Sequence, residues 1–148
     1  MMRQDKFTEQ AQEALALSQE IVRQYHHSQW DVEHILLALL RQERGLVGEI
    51  LSELGIDVEA MRRQVEKILE KSPMVTYETE QIYATPRVAQ LITKAGEEAD
   101  RLKDEFIGTE HLLVAMAAEE KGEAAGVLHR LGIDQEKVYR ALQKLRGG

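Results

Sequence analysis

The stretch FIGTEHLLVAM, residues 106–116, restates one that the chain has already used, QWDVEHILLAL at residues 29–39. Both set a Glu-His pair ahead of a run of leucine, alanine and other aliphatic residues. Sliding the chain along itself by 77 positions lays Glu33 on Glu110 and His34 on His111. The same shift lays Thr8 on Thr85, Gly45 on Gly122, Arg63 on Arg140 and Lys67 on Lys144, and superposes the LGID of 54–57 on that of 131–134. No gap is needed from Thr8 to Leu69. Roughly a quarter of the paired positions are identical, which is the mark of a tandem repeat of one supersecondary unit.

Each copy reads as four helices. Phe7, Ala11, Ala14, Leu15, Ser18, Ile21, Val22 and Tyr25 recur at three- and four-residue steps, one stripe of a long amphipathic helix with Thr8 as its N-cap. In the second copy Thr85 caps and Pro86 takes the first helical position. The helices around 35–40 and 112–117 are apolar nearly all round and are expected at the centre. Val47, Ile50, Leu51 and Leu54 stripe a third helix that ends at Gly55-Ile56, a left-handed cap with its apolar contact that Gly132-Ile133 repeats. Val58, Met61, Val65 and Ile68 stripe the fourth, matched by Val138, Leu142 and Leu145. The sequence thus predicts a single all-α domain over 1–148. It is built from two tandem four-helix repeats, 7–70 and 85–146, joined by a linker at 71–84 and packed with pseudo-twofold symmetry.

Composition narrows the function. The 148 residues are enough to bury a real core, and 43% are hydrophobic. A formal net charge of -7 argues against a nucleic-acid binder. With no cysteine there is no disulfide, thiolate metal site or thiol nucleophile, which fits a cytoplasmic protein. No apolar run approaches the ~20 residues of a membrane span, and the polar start MMRQDKF is not a signal peptide.

No phosphate-binding glycine loop and no nucleophile elbow appear, and no H-E-x-x-H is present among the five histidines. His34 and His111 are expected to pack in the first turn of a buried helix, each bonded to a neighbouring backbone group. Glu33 and Glu110 oppose a helix dipole, worth roughly 0.3–1 kcal/mol. The charged run over 97–105 reads as a solvated helix end and loop. No metal or cofactor is expected. The rival reading is a metal-dependent or acid–base enzyme that uses the Glu-His pairs.

FTEQAQEALALSQEIV, DVEHILLALL, TPRVAQLI and GTEHLLVAM together resemble the N-terminal domain of the Clp/Hsp100 family of ATP-driven unfoldases, over essentially the whole chain. RLKDEFIGTEHLL and the terminal ALQKLRGG are most similar to the ClpB disaggregase branch, while YATPRV is equally at home in ClpC. The resemblance implies an excised, non-enzymatic, monomeric module that engages unfolded or aggregated clients. The whole protein would be a hexameric ring that uses ATP and Mg and works with the Hsp70 system. It implies a substrate-binding cluster at Thr8, Asp104 and Glu110. In the ClpC-like alternative, which binds adaptors or phosphoarginine, the implied site is Thr85, Arg87 and Glu110, with a weaker counterpart at Thr8 and Glu33 because Gln10 stands where an arginine is expected.

Overall fold

The computed structural model describes residues 4–76 and 81–147; within the expected linker, positions 77–80 lie outside them. A 3-10 turn at Gln4–Lys6 leads into α1 (Glu9–Gln24), whose first turn is closed by the Thr8 hydroxyl accepting the Ala11 N–H at 3.1 Å. Then come α2 (Val32–Arg41), α3 (Leu46–Glu53) and α4 (Val58–Lys71). The second half repeats the order as α5 (Pro86–Arg101), α6 (Thr109–Ala118), α7 (Glu123–Arg130) and α8 (Gln135–Leu145). The protein is all-α, in two four-helix halves.

The apolar stripes become the core. Phe7, Ala11, Ala14, Leu15, Ser18, Ile21 and Val22 are buried along α1, and α2 and α6 are buried almost all round. α3 and α7 end alike: Gly55 and Gly132 turn left-handed at φ +76° and +77°, and Ile56 and Ile133 send N–H groups back to the Leu51 and Leu128 carbonyls at 2.9 Å. Two expectations are corrected. Leu145 is exposed; as the last residue of α8 it lines an open surface groove with Gly45 and Val58, and Ala141 takes the buried place beside Val138 and Leu142. Glu98 is not solvated but buried. It accepts hydrogen bonds from Gln135 Nε2 at 2.9 Å and from the Tyr139 hydroxyl, which ties α5 to α8, with Arg101 and Lys94 at 3.6 and 3.8 Å supplying positive charge.

A reciprocal backbone exchange stitches the halves together. The Thr8 N–H donates to the Ile107 carbonyl at 2.9 Å, and the Thr85 N–H to the Trp30 carbonyl at 3.0 Å. Phe7 bridges Ile107 in parallel, and β1 (Gln29–Trp30) pairs in parallel with β2 (Tyr83–Ala84), Trp30 facing Ala84. Under the 77-residue shift Phe7 corresponds to Ala84 and Ile107 to Trp30, so these are one contact made twice about a pseudo-twofold axis. The sequence predicts no strand, because a two-residue ladder leaves no pattern. It forms because extended N-cap residues hold backbone groups that their own helix cannot pair. The helix packing obeys the same symmetry: α3 lies on α8 as α7 lies on α4.

The repeated histidines cap the starts of their own helices. His34 Nδ1 accepts the Asp31 N–H at 3.0 Å and His111 Nδ1 accepts the Gly108 N–H at 2.8 Å. With Nδ1 committed as acceptor, His34 Nε2 carries the proton and donates to His27 Nδ1 at 2.9 Å, and His27 Nε2 donates to the Leu69 carbonyl at 3.1 Å. This chain of donors needs both rings neutral. Burial pushes His34 down to about 4, with His27 adding to the effect, and burial lowers His27 as well.

The folded chain therefore binds fewer protons than the unfolded chain between about pH 4 and 6.5. Stability is complete above pH 6.5 and falls as pH drops through that window, by up to roughly 3 kcal/mol for His34. Urea unfolding at pH 7.5 and 5.0 should show this loss for the native chain and a flatter profile for His34→Gln, whose amide oxygen can still accept the Asp31 N–H. Equal pH slopes for the two would contradict the relay.

Candidate functional site

The exchange of helix starts decides which side chains meet. Thr85 and Arg87 begin α5, which is docked on the start of α2, so they face Asp31 and Glu33. The Thr85 hydroxyl does not cap its own helix. It donates to Asp31 Oδ1 at 2.9 Å. Arg87 Nη1 lies 3.1 Å from Asp31 Oδ1, Nη2 lies 3.3 Å from Glu33 Oε2, and Nε lies 3.8 Å from Glu119 Oε2. Glu33 also accepts the Ala124 N–H at 3.0 Å, placing its carboxylate in the first turn of α7. A Cβ on Gly122 would stand 2.1 Å from Arg87 Nη2, so the guanidinium fills the space that a side chain would need there. Burial pushes the Glu119 carboxyl up; Arg87 opposes that, while Glu33 and Asp31 reinforce it.

The second pocket is the symmetry mate of the first with different chemistry. Thr8 begins α1 against Ile107, just ahead of α6 and Glu110. Asp104 occupies the place equivalent to His27, and Arg146 that of Leu69. His111 Nε2 donates to Asp104 Oδ2 at 2.7 Å. Arg146 Nη2 donates to the same oxygen at 2.9 Å and to Glu110 Oε2 at 3.3 Å. Burial works to raise the Asp104 carboxyl, but the hydrogen bonds from Arg146 and His111 outweigh it and hold it below its usual range. Gln10 stands where Arg87 stands in the first pocket, and its carbonyl accepts from Gln42 Nε2 at 2.9 Å. Gln42 Oε1 and Glu119 Oε1, at equivalent positions, are both buried oxygens without a donor.

The expected groupings are therefore kept in one case and crossed in the other. Thr8, Asp104 and Glu110 gather round the start of α6. Thr85 and Arg87 meet Glu33 and not Glu110, and Thr8 belongs with Glu110 and not Glu33, because each pocket is built from one helix start of either half. Sequence comparison missed Asp31, Glu119 and Arg146. The polar pair at 42 and 119 is a signal for Glu119. Nothing in the repeat pointed to Arg146, which aligns with a leucine. Asp104, Glu110 and His111 bring one ligand atom each within 4.8 Å of one another. They suit a metal poorly, since His111 Nδ1 accepts an N–H and its Nε2 must keep the proton it gives Asp104.

The family described as the Clp repeat (R) N-terminal domain matches residues 6–131. The chaperone protein ClpB of Bacillus cereus is 35% identical over 146 residues, covering 97% of this chain and 17% of that protein. The negative regulator of genetic competence ClpC/MecB of Bacillus subtilis is 34% identical over 142 residues, covering 96% and 17%. The Hsp104 N-terminal domain of Candida albicans superposes with a TM-score of 0.82 at 21% identity, covering 96% of this chain and 92% of that one. The chain belongs to the Clp N-terminal domain family, and it spans about a sixth of the length of those curated relatives.

The two pockets differ in rigidity. Gly122 has φ +103° and Arg87 against it, so Gly122→Ala strains the backbone and expels the guanidinium, at a cost on the order of 2–3 kcal/mol. Gly108 has an ordinary φ of -102°, and a Cβ there would meet only the flexible Glu110 carboxylate, at 2.0 Å. Gly108→Ala should cost no more than about 1 kcal/mol. Thermal unfolding checks both, and equal losses would contradict the contrast.

Proposed function

We propose that this chain is the client-recognition N-terminal domain of a ClpB-like, ATP-dependent disaggregase, with no catalytic role of its own. It engages aggregated or unfolded proteins for threading by downstream ATPase modules, which would carry the ATP and Mg. The ring assembly, the collaboration with an Hsp70 system and the cytoplasmic location come with that reading.

One observation carries it. Asp104 and Glu110, with side chains 25% and 14% exposed, sit at the helix start that Thr8 adjoins, beside an apolar groove. The groove, of about 530 Å³, has Leu102, Tyr139 and Leu142 along it and Arg101 and Arg146 at its rim. Arg146 also pairs with both carboxylates. An unfolded client presents apolar side chains with charged ones between them, and an apolar groove with charged residues beside it suits that chemistry.

A second reading is phosphoarginine recognition of the ClpC type. Its favouring observation is that Thr85, Arg87 and Glu33 share one pocket. Against it, a phosphate brought to Arg87 would also meet Asp31 and Glu119.

In the full-length protein Thr8→Ala, Asp104→Ala and Glu110→Ala should each weaken client binding by up to about tenfold, with basal ATP hydrolysis unchanged. Melting temperatures measured alongside separate this from lost folding. Activity that falls only as stability falls would make the cluster structural. Calorimetric titration of the 148-residue chain with phosphoarginine tests the second reading: binding removed by Glu33→Ala and kept in Glu110→Ala would establish it, and no heat would exclude it.

A further inference from the structure

We propose that Arg146 is a latch over the Asp104–Glu110 pair, an internal occupant that a client's own cationic side chain must displace. The proposal rests on the reading of this cluster as a client site. Its origin is the unequal treatment of two equivalent acids. Glu33 is sealed: Arg87 reaches it and two further carboxylates with three different nitrogens, lies against the Gly122 backbone, and leaves Glu33 the Ala124 N–H as well. Glu110 has no such built-in partner, because Gln10 replaces the arginine.

Its cation comes instead from the far end of α8. Arg146 is the C-cap of that helix, where helices fray, and a single nitrogen, Nη2, serves both carboxylates. A fork-on-fork pairing would use two. The Arg146 side chain is 41% exposed, against 29% for Arg87. It also lines the apolar groove, so one movement of this side chain frees the acids and widens the groove edge. An exposed pair of this kind closes the latch by a modest factor, roughly two- to fivefold, and a site closed for that share of the time binds its ligand weaker by about the same factor. The ligand selected is an apolar residue next to a guanidinium, and the latch makes the domain discriminate against segments that lack the cation.

The test titrates acetyl-leucyl-arginine amide into the isotope-labelled 148-residue chain, following the amides of residues 104–111 by NMR. The uncharged control peptide carries citrulline in place of arginine. Arg146→Gln should bind the arginine peptide about two- to fivefold tighter than the native chain, with no gain for the citrulline peptide. Adding Glu110→Gln should remove the gain. If Arg146→Gln leaves the affinity unchanged while Glu110→Gln weakens it, the latch is overturned and the client-site reading stands. If neither substitution matters, or no peptide binds, both fall. Amide spectra of the variants that match the native fold elsewhere exclude misfolding as the cause.

Discussion

Two backbone hydrogen bonds organise this molecule: Thr8 N–H to the Ile107 carbonyl and Thr85 N–H to the Trp30 carbonyl. A helix start has amides that the helix cannot use, and a domain of two similar halves can satisfy them across the axis. Once each long helix begins against the other half's central helix, the rest follows. The buried faces of α2 and α6 meet near the axis, and the Glu33 carboxylate points at the starts of α5 and α7 in the other half, while Glu110 pairs with Arg146 of its own half. The polar pockets are a by-product of how the repeat closes on itself.

Much of this was legible in the sequence. An ungapped repeat with helical spacing identifies eight helices and their core faces. Gly55 and Gly132 mark helix ends because a left-handed residue is needed there. The Thr8, Asp104 and Glu110 set came through resemblance alone. What was not legible is how the halves trade contacts. A shift of 77 residues says that Glu33 and Glu110 are equivalent, but not whether Arg87 meets its own half's acid or the other's. Arg146 was invisible because repeats reveal what is shared, and its counterpart is Leu69. Glu98 was hidden for the reverse reason: inside a charged run, nothing local says that Gln135 and Tyr139 will fold over it.

Duplication followed by divergence gives the two pockets different mechanical characters. The first has become a closed ion-pair knot of Arg87 with three carboxylates, stiffened by a glycine that no side chain can replace without strain. The second has Glu110 opposite Glu33 but Gly108 and Gln42 opposite Asp31 and Glu119, with Gln10 in the place of the arginine and Asp104 at the position of His27. One half thus holds a neutral histidine relay deep in the fold, while the other places Asp104 and Arg146 at two of the equivalent positions and keeps His111 buried between them and the helix start.

The claim beneath all of this is that Arg87 is coupled to Glu33 across the halves and not to Glu110 within its own. A double-mutant cycle measured by chemical denaturation tests it most directly. Arg87→Ala combined with Glu33→Ala should reveal a coupling of about 1–2 kcal/mol, and Arg87→Ala combined with Glu110→Ala should add within about 0.3–0.5 kcal/mol. Additivity at Glu33 with coupling at Glu110 would mean that the helix starts are not exchanged, and the account would be wrong.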